Sequence, residues 1–536
     1  MKKFAFAAAL ITCAVTLISL APAQDSSSRI LPDISKKIQP TMQLQVNHAI
    51  ERTAEQVDRF AATYVAPSET KEAPAPRPTM DANVYSQLKR AAAMAPRAAK
   101  PSSSSGTPNS PQAATIVFTG ATECDTGSGC WTPPDVAGSI GKASFVTASN
   151  SMIEVHSRLG VLQKFVSLNA FFGYSAQPMF DPRVQYDEEY QRWIVTAPAF
   201  PESATTQYLG IAVSKTSSAT GAWWIYFVNT NNFTGTGSFY DYPMLGISQD
   251  AVFFTANIFN PFTGSSLFSV AKARIYNGFG FGVPVFLGLA ATLEPPHQLL
   301  TDQNGYAWFA AAPGNSSVIY MYAEICSATP NCTTLYGPYN VAGVAGYGFP
   351  PAAPQPASCA PAGANLDTLD NRFQNQGTQN GDFYYQVHTT GDFGVPTPRY
   401  YIIKGLLGFA PTVAVQNDFY GAGVFTNDFN PSIAADVNGN FALNWSSTDP
   451  TNGVRASMYF ADNKFGNPVN SSGSNIFQSA SCYTGVGTSR WGDYSQTTLD
   501  PGPGSRSSLG TKIFWITNES IPSANFWNTQ VANVPF

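Results

Sequence analysis

Nine side chains with acid, arginine, phenol or amide chemistry recur at the starts of short repeated segments: Asp135, Asp181, Arg183, Tyr242, Arg372, Asn430, Arg490, Asp493 and Tyr494. Groups of this kind do one of two things. They face a ligand, or they pair with each other and with backbone amides, because a buried charge must be satisfied. Other familiar chemistry is not spelled out. There is no G-x-S-x-G elbow, no phosphate-binding Walker loop and no G-x-G-x-x-G opening a helix. Asp302-Gln-Asn-Gly and Asp436-Val-Asn-Gly-Asn imitate calcium loops but lack the further spaced oxygens and the closing glutamate, so they read as hairpin turns. His388, on Tyr384-Tyr-Gln-Val-His, reads as a packed strand histidine, with a proton shuttle as the alternative. Four histidines in 536 residues do not suggest a metal centre, and neither a metal nor a cofactor is expected.

The elements that must position these groups are strands. Charged residues are only 12% of the chain and aromatics 13%, with 43 Gly and 40 Pro, a composition of sheets and tight turns. The net charge of -5 gives no basic footprint for nucleic acid. From residue 113 onward β-rich runs alternate with Gly, Asn and Pro turns. A local pattern repeats: an Asp, Asn or Pro, a five-residue strand, a turn residue, then a strand rich in aromatics. Asp181-Pro-Arg-Val-Gln-Tyr-Asp leads to Arg192-Trp193, and Asn430-Pro-Ser-Ile-Ala-Ala-Asp leads to Phe441. The starts fall at 135, 181, 242, 296, 367, 430 and 494, each leaving room for four short strands.

Such units cannot bury both faces alone and stack around an axis, which predicts an all-β, seven-bladed β-propeller over 113–536. Six or eight blades, or a β-sandwich array, are the competing architectures. Only three strands remain after Tyr494, so Thr115–Thr119 is expected to supply the fourth and close the last blade. The start residues then converge on one mouth of the central channel, where Phe171, Phe172, Phe239, Tyr240 and Phe419 are expected on loops.

Pro134-Asp135-Val-Ala-Gly138, Asp181-Pro-Arg183, Asp241-Tyr-Pro243, Pro431-Ser-Ile433 and Arg490-Trp-Gly-Asp-Tyr494 make the chain resemble secreted bacterial β-propeller proteins loosely grouped with the sialidase-like (neuraminidase-like) fold. The resemblance implies that Arg183, Arg372 and Arg490 would clamp a carboxylate, Tyr494 act as nucleophile and Asp135 as general acid. Asp181, Asp493, Tyr242 and Asn430 would complete the ligand-binding set. The chain departs from that family: the Arg-Ile-Pro start and the Ser-x-Asp-x-Gly-x-Thr-Trp boxes are missing, and no glutamate is marked out to activate Tyr494. The expectation is therefore non-catalytic binding of an extracellular glycan, polymer or protein at the mouth. A sialidase-like glycoside hydrolase and a protein-docking scaffold are the alternatives.

The amino terminus has Lys2 and Lys3, an apolar run from Phe4 to Leu20 and Ala21-Pro-Ala23, the order of a cleaved signal peptide ending at residue 23. A secreted, extracellular or periplasmic protein with no remaining membrane span is expected, and a monomer. Six cysteines remain after Cys13, and one of the fifteen pairings they allow joins Cys124 to Cys130, Cys326 to Cys332 and Cys359 to Cys482. Residues 24–112 form an arm, with helical spacing at 41–64 and 80–95, then a Ser/Pro-rich linker. The arm carries eleven Lys or Arg against eight Asp or Glu. A spacer, a pro-segment and a partner-binding element are all compatible with it.

Overall fold

The computed structural model describes residues 31–65, 77–100, 114–123, 125, 131–150, 152–300, 302, 304–314, 317–325, 334–359, 365–421, 423, 425–463, 473–483, 490–502, 513–523 and 526–535. The signal segment, the Ser/Pro linker and the Cys124, Cys130, Cys326 and Cys332 expectations lie outside them.

The fold is all-β and propeller-like, built from consecutive four-stranded antiparallel meanders. The first comprises Ala137–Ile140, Ser144–Ser149, Met152–Ser157 and Leu162–Ser167. A second runs from Arg183–Asp187 to Trp223–Asn229 and a third from Phe239–Ile247 to Phe281–Leu289. Further meanders run from Gly377–Asn380 to Thr412–Asp418 and from Asn427–Ala435 to Ser474–Gln478. In the last, Gln496–Leu499, Ile513–Ser523 and Phe526–Pro535 are completed by Ile116–Thr122, which pairs antiparallel with the carboxy-terminal strand, Val117 opposite Ala532. The closing strand lies three residues further along than the sequence pattern indicates at its distal end.

The fourth unit departs from the pattern. Glu294 and Ala310 exchange both backbone hydrogen bonds, but Pro295 and Pro296 carry no N–H and the antiparallel ladder stops there. Pro296–Gln298 instead pairs parallel with Ile247 on one side and with Gly377–Gln379 on the other, fusing the third and fifth units into one ten-stranded sheet.

Apolar residues alternate into the gaps between neighbouring units, so the core is a series of interfaces. Trp193 and Val184 meet Phe171 and Ile153 between the first and second units. Phe253 and Leu267 meet Phe309 and Leu335 between the third and fourth. Ile140 and Phe145 of the first unit meet Trp515 and Val531 of the last.

The arm corrects one expectation. Residues 42–46 and 50–52 are strands, not helix. Their apolar spacing satisfies a helix, but each finds an unpaired sheet edge, and tertiary pairing overrides the local period. Lys37–Ile38, Met42–Val46 and Ile50–Arg52 pair antiparallel with the outer strands Thr334–Asn340, Phe281–Leu289 and Trp223–Asn229. Helix α1, Ala54–Ala61, follows with a capping box in which Thr53 and Gln56 satisfy each other's backbone N–H. Helix α2, Ala82–Met94, starts on the Asp81 carboxylate, which accepts from Asn83 and Val84 N–H. Arg52 Nη2 donates to the Ala170 carbonyl of the short helix α3, Leu168–Phe172, at 2.9 Å, and its guanidinium lies against Gly173, the left-handed cap of that helix. A Cβ on that glycine would collide with the guanidinium.

Candidate functional site

The start of nearly every unit carries a residue in the left-handed region. Asp135, Asp181, Tyr242, Leu369 and Asn430 have φ of 46°, 45°, 58°, 53° and 53°, and Gly492 takes the same role in the last unit at 145°. Non-glycine residues hold such angles only where their surroundings over-determine them. Here the surroundings are bonds between units. Asp135 Oδ1 accepts from Asp493 N–H at 2.7 Å and its Oδ2 from Asn150 Nδ2 at 2.6 Å. Asn150 Oδ1 accepts from Asp181 N–H at 2.7 Å, and the Tyr494 hydroxyl donates to Asp181 Oδ2 at 2.8 Å. Asn430 Nδ2 donates to the carbonyls of Gly492 and Tyr494 at 3.3 and 3.1 Å, and Gln374 Nε2 to that of Asp493 at 3.1 Å.

A narrow cleft with a cavity volume of about 30 Å³ lies where these starts converge. Asp135, Asp181, Tyr242, Arg372, Arg490 and Asp493 of the predicted set line it, together with Arg77, Asn150, Asp241 and the aromatics Trp131, Phe180, Phe200 and Phe259. Arg183, Asn430 and Tyr494 do not line it. Tyr494 is 1% exposed beneath the cleft, with the Arg183 guanidinium 4.3 Å from its ring centroid, and Arg183 Nη2 donates to Asn375. The three arginines therefore do not converge on one point. Arg372 is spent on Asp370, with Nε and Nη2 both donating at 2.8 Å, and Arg490 Nη1 donates to Asp493 at 2.8 Å.

Burial governs the titration of this region. It raises Asp135 to about 7, with the Asp493 charge adding and Arg490 opposing. Burial, and then the charge of Asp135, lifts Asp181 well above the carboxylate range, and burial followed by Asp181 lifts Tyr494 well above an ordinary phenol. For Arg490 burial works against the charge, but Asp493, Asp135 and Asp367 outweigh it. Burial also raises Asp241, against the pull of Arg77. Among the described residues no group of three or more His, Cys, Asp or Glu is placed to hold a metal ion, and no helix is long and apolar enough to cross a membrane.

Four of the expected mouth aromatics lie elsewhere. Phe171 and Phe172 are buried on α3 between the first two units, Phe171 edge-on to Trp223. Tyr240 and Phe419 are wholly buried, the latter against Trp445. Only Phe239 borders the cleft, under Arg77. The aromatic wall that does exist runs Trp131, Phe200, Phe180, with centroids 6.0 and 4.6 Å apart. Trp131 and Phe200 sit outside the repeated motif, so periodicity could not select them. Asp241 stands inside the Asp-Tyr-Pro motif beside Tyr242 and is the signal the residue pattern offered. His388 lies on the strand Phe383–Thr390, its Nδ1 at 2.5 Å from the Asn371 carbonyl and Nε2 at 3.0 Å from the Tyr401 hydroxyl. Burial lowers it to about 3. Asp436 Oδ1 accepts from Asn438 and Asn440 N–H, and Asp302 Oδ1 from Asn304 N–H, as in turns. Cys359 and Cys482 form a disulfide between two inter-unit connections, flanked by mutual bonds of Gln355 with Tyr483.

No protein-family model and no curated protein matches the chain. Solved structures similar to it include an exo-β-1,3-galactanase from Phanerochaete chrysosporium, at 11% identity over 78% of this chain and 98% of that one, TM-score 0.31. An exo-β-1,3-galactanase from Clostridium thermocellum shares 10% identity over 75% and 91%, TM-score 0.29. An α-L-arabinanase from Penicillium chrysogenum, complexed with arabinobiose, shares 10% over 61% and 93%, TM-score 0.34. These named structures are galactanases and an arabinanase rather than sialidases, and the likeness is too distant to transfer a residue or a substrate.

Proposed function

We propose that the chain is an exported, monomeric seven-bladed β-propeller that binds an extracellular polymer, a glycan first among them, in the mouth cleft. The ring reading is supported by the innermost strands: Ala137–Ile140 adjoins Arg183–Asp187, each later innermost strand adjoins the next, and Gln496–Leu499 adjoins Ala137–Ile140. Export to the extracellular space or periplasm is supported by the leader-like residues 1–23 and by the Cys359–Cys482 bridge.

One observation carries the binding reading: the cleft lining combines the aromatic rings of Trp131, Phe180 and Phe200 with the charged groups of Asp135, Asp181, Asp493 and Arg490. Ring faces take the apolar side of a sugar or chain, and the charged groups fix its polar groups. A glycan array read with the purified protein is expected to give binding that Trp131→Ala weakens at least tenfold. An array with no binder would remove the glycan.

A hydrolase is the second reading, favoured by Asp135, a cleft carboxyl that holds its proton near neutrality as a general acid must. Tyr494 as nucleophile has no path to the cleft in this arrangement. A fluorogenic glycoside panel decides it: turnover abolished by Asp135→Asn supports hydrolysis, and an unbroken panel dismisses it.

A further inference from the structure

Residues 77–100 of the arm lie along the mouth, held by three basic side chains that play two different roles. Lys89 of α2 donates to the carbonyl of the left-handed Leu369 and to Thr368 Oγ1 at 3.3 Å, with Asp367 at 3.6 Å. Lys100, its side chain fully buried, donates to Asp428 Oδ2 at 2.7 Å and to the Thr426 carbonyl at 2.8 Å. Both are anchors with several partners, Lys100 enclosed and Lys89 mostly so.

Arg77 sits in the cleft itself, with 27% of its side chain exposed. Its guanidinium lies 3.8 Å from the Phe239 ring centroid, and Phe239 stacks in parallel on Phe180 at 5.7 Å. Nη1 donates to Asp241 Oδ2 at 3.1 Å, and the Arg77 carbonyl accepts from Arg372 Nη2 at 3.2 Å. The seat thus reads three things at once: a flat cation over a ring, a charge against a carboxylate, and a main-chain carbonyl in fixed register. Pro76 and Pro78 flank the arginine, and the residue before a proline is pushed to an extended backbone.

We propose that this side of the mouth is a binding site for an arginine carried on an extended, proline-flanked polypeptide segment, and that Arg77 is its resident occupant. The inference rests on the reading of the mouth as the ligand site and names the class of polymer. An incoming segment displaces Arg77 alone, while Lys89 and Lys100 keep the rest of the arm seated.

The test uses the full chain and a fluorescein-labelled Pro-Arg-Pro-Thr peptide, matching residues 76–79, followed by fluorescence anisotropy. Arg77→Ala is expected to bind it at least tenfold more tightly than the wild type, whose own arginine competes. Arg77→Gln, which keeps a polar side chain of similar reach without the charge, is measured alongside in case the alanine variant is unstable; the residue-77 carbonyl remains available to Arg372 in both. Adding Asp241→Asn should cost at least tenfold, and a Pro-Lys-Pro-Thr peptide should bind at least fivefold more weakly, because a point charge lacks the stacking plane. Equal binding to wild type and both Arg77 variants, indifference to Asp241→Asn, or parity of lysine with arginine would each overturn the proposal. A glycan that binds where no peptide does leaves the cleft reading intact and removes only this inference; failure of both removes the two together.

Discussion

Tyr494 shows how a residue can carry the right chemistry and still be committed to architecture. Its hydroxyl joins the last unit to the second through Asp181, and its ring packs at 4.9 Å on Tyr242 of the third. Tyr494→Phe therefore should lower stability by about 1–3 kcal/mol, the cost of a buried acceptor losing its donor, as read by urea unfolding. A loss of turnover with unchanged stability would instead mark a nucleophile. Asp135 allows a pH test. Its folded value near 7 stands above the ordinary 3.8, so the native state holds the proton more tightly, and its contribution is full below about pH 4 and lost as pH rises through 7. Relative to Asp135→Asn, the wild type should lose on the order of a few kcal/mol between those limits. His156 and His297, lowered by burial to about 4, push the other way below pH 6.5, so the difference between the two proteins is the quantity to follow. The site residues were legible only in part for a plain reason. A repeated start residue reveals its position on the axis, but not whether its side chain points to a ligand or to the next unit.

At the scale of elements, alternation and turn chemistry specify the meanders well. Asn438-Gly439 and Asn380-Gly381 make the hairpins their residues require, with Gly439 and Gly381 at φ of 79° and 60°. The short arm strands were hidden because a two- to five-residue strand has no periodicity of its own; its partner edge, more than 170 residues away in sequence, decides its state. The fourth unit was hidden for a different reason, since Pro295-Pro296 breaks a ladder that the spacing alone predicts. Lys100 tests how firmly the arm is seated. Lys100→Ala strands Asp428 without its cation in a fully buried place, and about 3–5 kcal/mol of destabilisation is expected, visible as a lower midpoint in thermal unfolding. Lys100→Ala with Asp428→Ala should recover part of that loss.

For the whole molecule, the Cys359–Cys482 bridge encloses a 123-residue separation, for which chain-entropy arguments give about 4–5 kcal/mol before native strain is deducted. Reduction, or Cys359→Ser with Cys482→Ser, should lower the unfolding midpoint in urea, and non-reducing peptide mapping should recover the linked peptides. Free thiols at both positions would contradict the bridge.

The arm strands have a further consequence for solubility. Lys37–Ile38, Met42–Val46 and Ile50–Arg52 each occupy the outermost hydrogen-bonding row of a sheet, rows that would otherwise be open templates for another chain. They act as selvedges, the woven borders that keep a cloth from fraying. A protein trimmed of residues 31–52 should keep its inter-unit cores apart from Leu44, which packs between the second and third units, yet leave three raw borders that stitch molecules together, so sedimentation should find it as growing aggregates at concentrations where the full chain stays uniform.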